Sequence, residues 1–303
     1  MPNPTPGLHH VTAISGPPAS NVAFYTRDLG LSLVKRTVNF DDPGTWHLYY
    51  GDTAGSPGTI LTFFPFATAG PGREGPGETH AFAYTTAPGT LEDWATRLGA
   101  GTDAISDRFG ARVLSLHDPH NQRLELIEDA TAPASGLGAF HSVTLWVADP
   151  EPTVRVLTDH LGYSETASER HGDGQRIRLT AAGCGVAGIV DVLQHPGARA
   201  QQGAGSIHHI AFRATDDAHQ DELREALMTA GHRVTPRIDR QYFNAIYFRE
   251  PGGVLFEIAT DPPGFAVDEA PDALGRALRL PPQYEPHRAE IAAALPSLGL
   301  ADQ

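Results

Sequence analysis

The sequence predicts an α+β fold: four βαβββ modules in two homologous halves, with curved mixed sheets around a cavity. Three observations predict it. The chain repeats itself at a fixed spacing, each copy contains the order strand–helix–three strands twice, and turn-forming residues stand where the strands must reverse. Val22, Tyr25 and Leu29 form a helical stripe closed by Gly30, and Val154, Leu157 and Leu161 closed by Gly162 repeat it 132 positions later. The same spacing relates Val11-Thr12 to Val143-Thr144, Leu91 to Leu223, Asp107-Arg108 to Asp239-Arg240, and Glu125 to Glu257. The halves are expected at residues 1–131 and 138–262, with a tail, 263–303, packed on the core.

The elements follow in order. Residues 8–14 read as a short apolar strand, and Ser20 as the N-cap of a helix running to Leu29, where Gly30 stops it. Strands are expected near 31–37, 45–50 and 59–65, the last two carried by Thr45-Trp46-His47-Leu48-Tyr49-Tyr50 and Thr59-Ile60-Leu61-Thr62-Phe63-Phe64. The pattern recurs near 79–128, 140–193 and 207–260. Asp118-Pro119-His120-Asn121 and Glu250-Pro251-Gly252-Gly253 are turn sequences joining the last two strands of modules two and four.

Composition narrows the function. A length of 303 residues with 40% hydrophobic content suits a large core, and no run approaches the ~20 apolar residues that span a bilayer. Met1-Pro2-Asn3-Pro4 does not read as a signal peptide, so a cytoplasmic enzyme is expected. A net charge of −14 argues against binding a phosphate backbone, which excludes nucleic acid as a partner. The lone Cys184 excludes a cysteine zinc cluster and an internal disulfide framework. The single lysine, Lys35, lies in an ordinary strand pattern, which leaves Schiff-base chemistry little footing. No Gly-x-Gly-x-x-Gly before a helix and no phosphate loop is present.

Histidine pairs on apolar strands carry the chemistry. Leu8-His9-His10-Val11-Thr12 opens the chain, Ile207-His208-His209-Ile210-Ala211 opens module four, and Val254-Leu255-Phe256-Glu257-Ile258 closes it. Two neutral imidazoles and a carboxylate from separate strands can hold a non-haem Fe(II) and leave coordination positions open. Buried imidazole otherwise needs a partner. Strand alternation places His10 and Thr12 on one face and His9 on the other.

The repeat allows two sets of ligands. If adjacent modules pair, they are His10, His80 and Glu125, with Ser142, His209 and Glu257 in the second half. If module one pairs with module four, they are His10, His209 and Glu257, leaving Ser142, His80 and Glu125 as a set that has lost one ligand. The polar neighbours favour the second pairing. His208, Arg240 and Tyr247 surround His209, whereas Thr79, Arg108 and Ser115 stand at the corresponding places near His80.

Gly7-Leu8-His9-His10-Val11-Thr12-Ala13-Ile14, Gly205-Ser206-Ile207-His208-His209-Ile210-Ala211-Phe212 and Tyr247-Phe248-Arg249-Glu250-Pro251-Gly252-Gly253-Val254-Leu255-Phe256-Glu257 resemble the vicinal oxygen chelate superfamily. Over essentially the whole chain, the tail 280–288 included, the resemblance is to its ring-cleaving dioxygenases of hydroquinones and chlorohydroquinones. It implies Fe(II), with Mn(II) as the alternative, held by His10, His209 and Glu257. It implies a small aromatic substrate and O₂ as partners, and no membrane. His208 or Tyr247 would move protons, Arg240 would stabilise the developing anion, Thr12 would face the cavity and His9 would back His10. Competing readings are a catechol extradiol enzyme, a glyoxalase-like lyase or isomerase, and a metal-free aromatic-binding or resistance protein. Whether His9 and His208 reach the substrate, and whether the chain forms a homo-oligomer, stay open.

Overall fold

A computed structural model describes residues 2–300. Module one is β1 (Leu8–Ser15), α1 (Pro18–Val22) continued by a π-helical segment (Ala23–Asp28), then β2 (Ser32–Asn39), β3 (Asp42–Gly51) and β4 (Ile60–Pro65). Module two is β5 (Glu78–Thr86), α2 (Leu91–Arg97), β6 (Ile105–Arg108), β7 (Ala111–His117) and β8 (Arg123–Glu128). Module three is β9 (Phe140–Val147), α3 (Glu151–His160), β10 (Tyr163–His171), β11 (Gly174–Ala181) and β12 (Ile189–Gln194). Module four is β13 (Ser206–Ala214), α4 (Asp217–Thr229), β14 (Ile238–Asp239), β15 (Phe243–Arg249) and β16 (Leu255–Pro263). The α+β reading and its four modules therefore hold. No helix among the described residues is long and apolar enough to cross a membrane.

One local expectation fails. Ser20 does not cap the first helix, which begins at Pro18 behind Pro17. A proline at the first helical position has its φ preset and no N–H to satisfy, so the start needs no side-chain acceptor. The Ser20 hydroxyl instead donates to the Pro17 carbonyl at 3.0 Å.

The strands form two eight-stranded curved sheets, ordered β14-β15-β16-β13-β1-β4-β3-β2 and β10-β11-β12-β9-β5-β8-β7-β6. The sheets do not follow the sequence halves: the first joins module four to module one, the second joins module three to module two. Each module's first strand already runs parallel to its own last strand, β1 to β4 and β13 to β16. Its other edge would present unpaired backbone groups. Antiparallel pairing of β1 with β13 and of β5 with β9 satisfies those edges.

Two glycines fit the entry to the central strands. Gly7 and Gly205 have φ of 103° and 84°, and a Cβ on them would lie 2.7 Å from the Ala187 carbonyl and 2.3 Å from the His120 carbonyl. The tail lies against the outer strands of the first sheet. Leu280 and Ile291 pack with Val38, and the fully buried Lys35 pairs with Asp268 at 2.5 Å and with Glu269. The only lysine is thus committed to an ion pair that ties the tail to β2.

Candidate metal centre and cavity

His10, Ala211 and Glu257 stand in one row across β1, β13 and β16, because His10 pairs with Ala211 and Ala211 with Glu257. His209 lies two residues before Ala211 and shares its face. The fully buried Ala211 holds the place in that row between His10 and Glu257. His10 Nε2 lies 3.4 Å from His209 Nε2 and 3.4 Å from Glu257 Oε2, and His209 Nε2 lies 2.8 Å from the same oxygen. All three residues are buried, and their ligand atoms lie within 4.8 Å of one another.

Glu257 decides what the cluster is suited to hold. It is fully buried, yet neither carboxylate oxygen has a hydrogen bond of acceptable geometry, the 2.8 Å approach of His209 included. An unpaired buried carboxylate is costly. Burial by itself would raise its pKa, but His10 and His209 outweigh that and hold it well below the usual carboxylate range. Two imidazole nitrogens and a carboxylate oxygen converging within 2.8–3.4 Å fit the ligand set of a divalent cation.

The outer nitrogens of both ligand imidazoles are also placed. His9 Nδ1 lies 2.9 Å from His10 Nδ1, and His208 Nδ1 lies 2.7 Å from His209 Nδ1. Alternation puts His9 off the face that His10 and Thr12 turn to the cavity, and His9 is no part of the cavity lining. The β1–β13 register shifts at His9 and again at His208, so each is the extra residue of a β-bulge. A bulge breaks alternation and re-aims the side chain. His9 also bonds the backbone of Thr260, which leaves its Nδ1 as an acceptor. His10 then donates from Nδ1 and keeps the Nε2 lone pair free, the arrangement typical of metal-binding histidines. His9 does not line the cavity, whereas His208 does.

The cavity over these residues has a volume of about 410 Å³ and is lined by Thr12, Tyr49, Phe64, His208, Arg240, Phe243 and Tyr247, among others. That size suits a small ligand. Every catalytic residue read from the sequence except His9 reaches its wall. Burial, then Glu257, raises the Tyr247 hydroxyl well above its ordinary pKa, so it stays protonated. The Arg240 guanidinium lies 5.6 Å from the Tyr247 ring centroid and 3.4 Å from Asp41. Burial, reinforced by His209, pulls His208 down to about 3. Sequence reasoning missed His47, Tyr49, Phe64, Gln202 and Phe243. Only His47 left a signal, a polar residue on an alternating aromatic strand.

The second sheet carries a dismantled copy. Ser142 occupies the place of His10, and its hydroxyl keeps the contact with its bulged neighbour, lying 2.9 Å from His141 Nδ1. The structure corrects the counterpart of His209. Thr12 pairs with His209 but Thr144 with Ala81, so Ala81 holds the ligand position and His80 matches the bulged His208. The repeat spacing is 128 rather than 132 along these strands, and the copy has lost two ligands. Its carboxylate is neutralised instead. Arg108 donates to both oxygens of Glu125 at 2.5 and 2.6 Å, and Ser115 donates at 3.2 Å. Burial would raise the Glu125 pKa, but Arg108 holds it down to about 2. Across from Glu257 stands Tyr247, where Glu125 faces Ser115. Arg240 sits over the Tyr247 ring and bonds Asp41, whereas its counterpart Arg108 bonds the Glu125 carboxylate.

Two curved sheets with, among the described residues, one His-His-Glu cluster that could hold a metal ion define a duplicated scaffold. Residues 7–126 and 139–258 each match the Glyoxalase/Bleomycin resistance protein/Dioxygenase superfamily, and the chain belongs to it. It is 42% identical to a Bacillus subtilis (strain 168) protein named "Putative ring-cleaving dioxygenase MhqO", over 97% of each chain. It is 32% identical to the "Chlorohydroquinone/hydroquinone 1,2-dioxygenase" of Sphingobium indicum, over 96% of each chain. A crystal structure titled "putative dioxygenase" from Bacillus subtilis superposes with a TM-score of 0.89 at 42% identity, covering 96% of this chain and 97% of that one. Glyoxalase I from Zea mays shares the fold at 15% identity, with a TM-score of 0.64 over 84% of this chain and 92% of that one.

Proposed function

We propose that this chain is a ring-cleaving dioxygenase of hydroquinone-type aromatics, using Fe(II), with Mn(II) as the alternative, held by His10, His209 and Glu257. The observation that carries the reading is the fully buried Glu257 carboxylate converging with two imidazoles whose outer nitrogens are already engaged, beside an aromatic-walled cavity. The relatives' names support the reaction class and the substrate. When bound, the metal supplies the charge that lowers a phenol's pKa and the redox chemistry with O₂. The substrates are then a small aromatic and O₂.

The protein's own groups have separable tasks. Phe64 and Phe243 are the aromatic walls against which a planar ring packs. His208, kept neutral by burial, can accept a hydrogen bond from a substrate hydroxyl at the cavity wall and orient it. Tyr247 keeps its proton on Oη and can donate it to oxygen as negative charge develops. Arg240 supplies fixed positive charge to the same region. The 303-residue unit works as one piece, because the proposed ligands come from modules one and four.

The reading is tested by anaerobic purification with iron quantitation, then a hydroquinone and catechol panel in an oxygen electrode. The expected result is hydroquinone-dependent oxygen uptake that His209→Ala abolishes along with iron and His80→Ala preserves. Catechol turnover without hydroquinone turnover would move the chain to the extradiol enzymes. Metal binding with no oxygen uptake would favour a lyase or isomerase.

A further inference from the structure

The cavity floor contains a second row of polar residues. His209, Thr12, Thr62 and Tyr49 face one another in register across β13, β1, β4 and β3. His47 lies two residues before Tyr49 on the same face. These groups are joined end to end. The Thr62 hydroxyl donates to Thr12 Oγ1 at 3.0 Å, His47 Nε2 lies 2.8 Å from Thr62 Oγ1, and the Tyr49 hydroxyl lies 2.9 Å from His47 Nδ1.

Counting hydrogens orients the whole array. Thr62 has one hydroxyl hydrogen and gives it to Thr12, so it must accept from His47. His47 therefore carries its proton on Nε2, and Nδ1 accepts from the Tyr49 hydroxyl. Thr12 already accepts from Thr62, and its own hydrogen has no partner in the wall. That hydrogen is left for the cavity, which Thr12 lines beside His10 and His209. Burial, then the charges of His10 and His209, keeps the His47 imidazole well below its ordinary range, in agreement with a single ring proton.

We propose that His47 and Thr62 are positioning residues that fix Thr12 as a one-way hydrogen-bond donor into the cavity, selecting a substrate that presents an oxygen lone pair or oxyanion there. Thr62 sets the tautomer, and Tyr49 anchors the far end by donating to Nδ1. The aromatic contacts of the His47 ring with Tyr49 and Phe64, at centroid distances of 4.1 and 4.3 Å, hold it in place. The inference rests on the dioxygenase reading for its assay, but not for its geometry.

Two measurements on the full-length protein test it separately. In the zinc-loaded protein, ¹⁵N correlation spectra of the histidine rings should show His47 as the Nε2–H tautomer; an Nδ1–H tautomer overturns the array. In hydroquinone turnover, Thr62→Val should lower kcat/KM by about three- to tenfold, the scale of one hydrogen bond, while Thr62→Ser retains it. Thr12→Val combined with Thr62→Val should be no worse than Thr12→Val alone, because both remove the same interaction. Additive losses, or a Thr62→Val enzyme equal to wild type, overturn the proposal. If the wild type does not consume hydroquinone, the dioxygenase reading fails, and the tautomer still decides the array.

Discussion

His9→Phe separates a histidine that orients a ligand from one that merely fills space. Phenylalanine approximates the ring volume beside Phe243, whose centroid lies 5.3 Å from that of His9. It removes the acceptor that stands 2.9 Å from His10 Nδ1. Without it, His10 can move its proton to Nε2, the atom that faces Glu257, and the ligand lone pair is lost. Partners of this kind are worth roughly 10–100-fold in metal affinity, or about 1.4–2.7 kcal/mol. The molecule carries its own control, since His141 occupies the same bulge and makes the same contact with Ser142 at 2.9 Å where no ligand follows. Competition against a chromophoric chelator under anaerobic conditions should show weaker binding for His9→Phe and unchanged binding for His141→Phe, with both variants folded by circular dichroism. An unchanged dissociation constant for His9→Phe, or an equal loss for His141→Phe, would refute the reasoning.

Other outcomes follow from the same geometry. Ala211→Leu should abolish metal uptake without touching a ligand, because its side chain would enter the space between His10 and Glu257; metal analysis of the folded variant checks this. Arg108→Met should leave Glu125 as an uncompensated buried charge and cost about 3–5 kcal/mol in urea unfolding. The pH dependence has a definite sign: Glu125 titrates at about 2 when folded against an ordinary 4.5, so its stabilisation is complete above about pH 4.5 and is lost as pH falls towards 2. That contribution is about 3 kcal/mol, and acid unfolding of Arg108→Met should lack it. Tyr247→Phe should lower kcat and kcat/KM together by about 10²–10⁴-fold with full metal occupancy; wild-type kcat would make the hydroxyl structural.

The sequence by itself determined the modules, the duplication and the candidate ligands. Local signals suffice for these: period-two alternation marks strands, Gly30 and Gly162 stop helices, and a buried His-His pair requires an explanation that a metal supplies. Tertiary structure decided what depends on register. The pairing of β1 with β13 unites His10 with His209 across 199 positions, and only the strand ladder shows that the repeat spacing slips to 128 and leaves Ala81 opposite Thr144. Bulges at His9 and His208, visible only in the register, bring each beside the ring of the following histidine. The His47 array was invisible because its members come from three strands whose contacts are set by pairing, not by spacing along the chain.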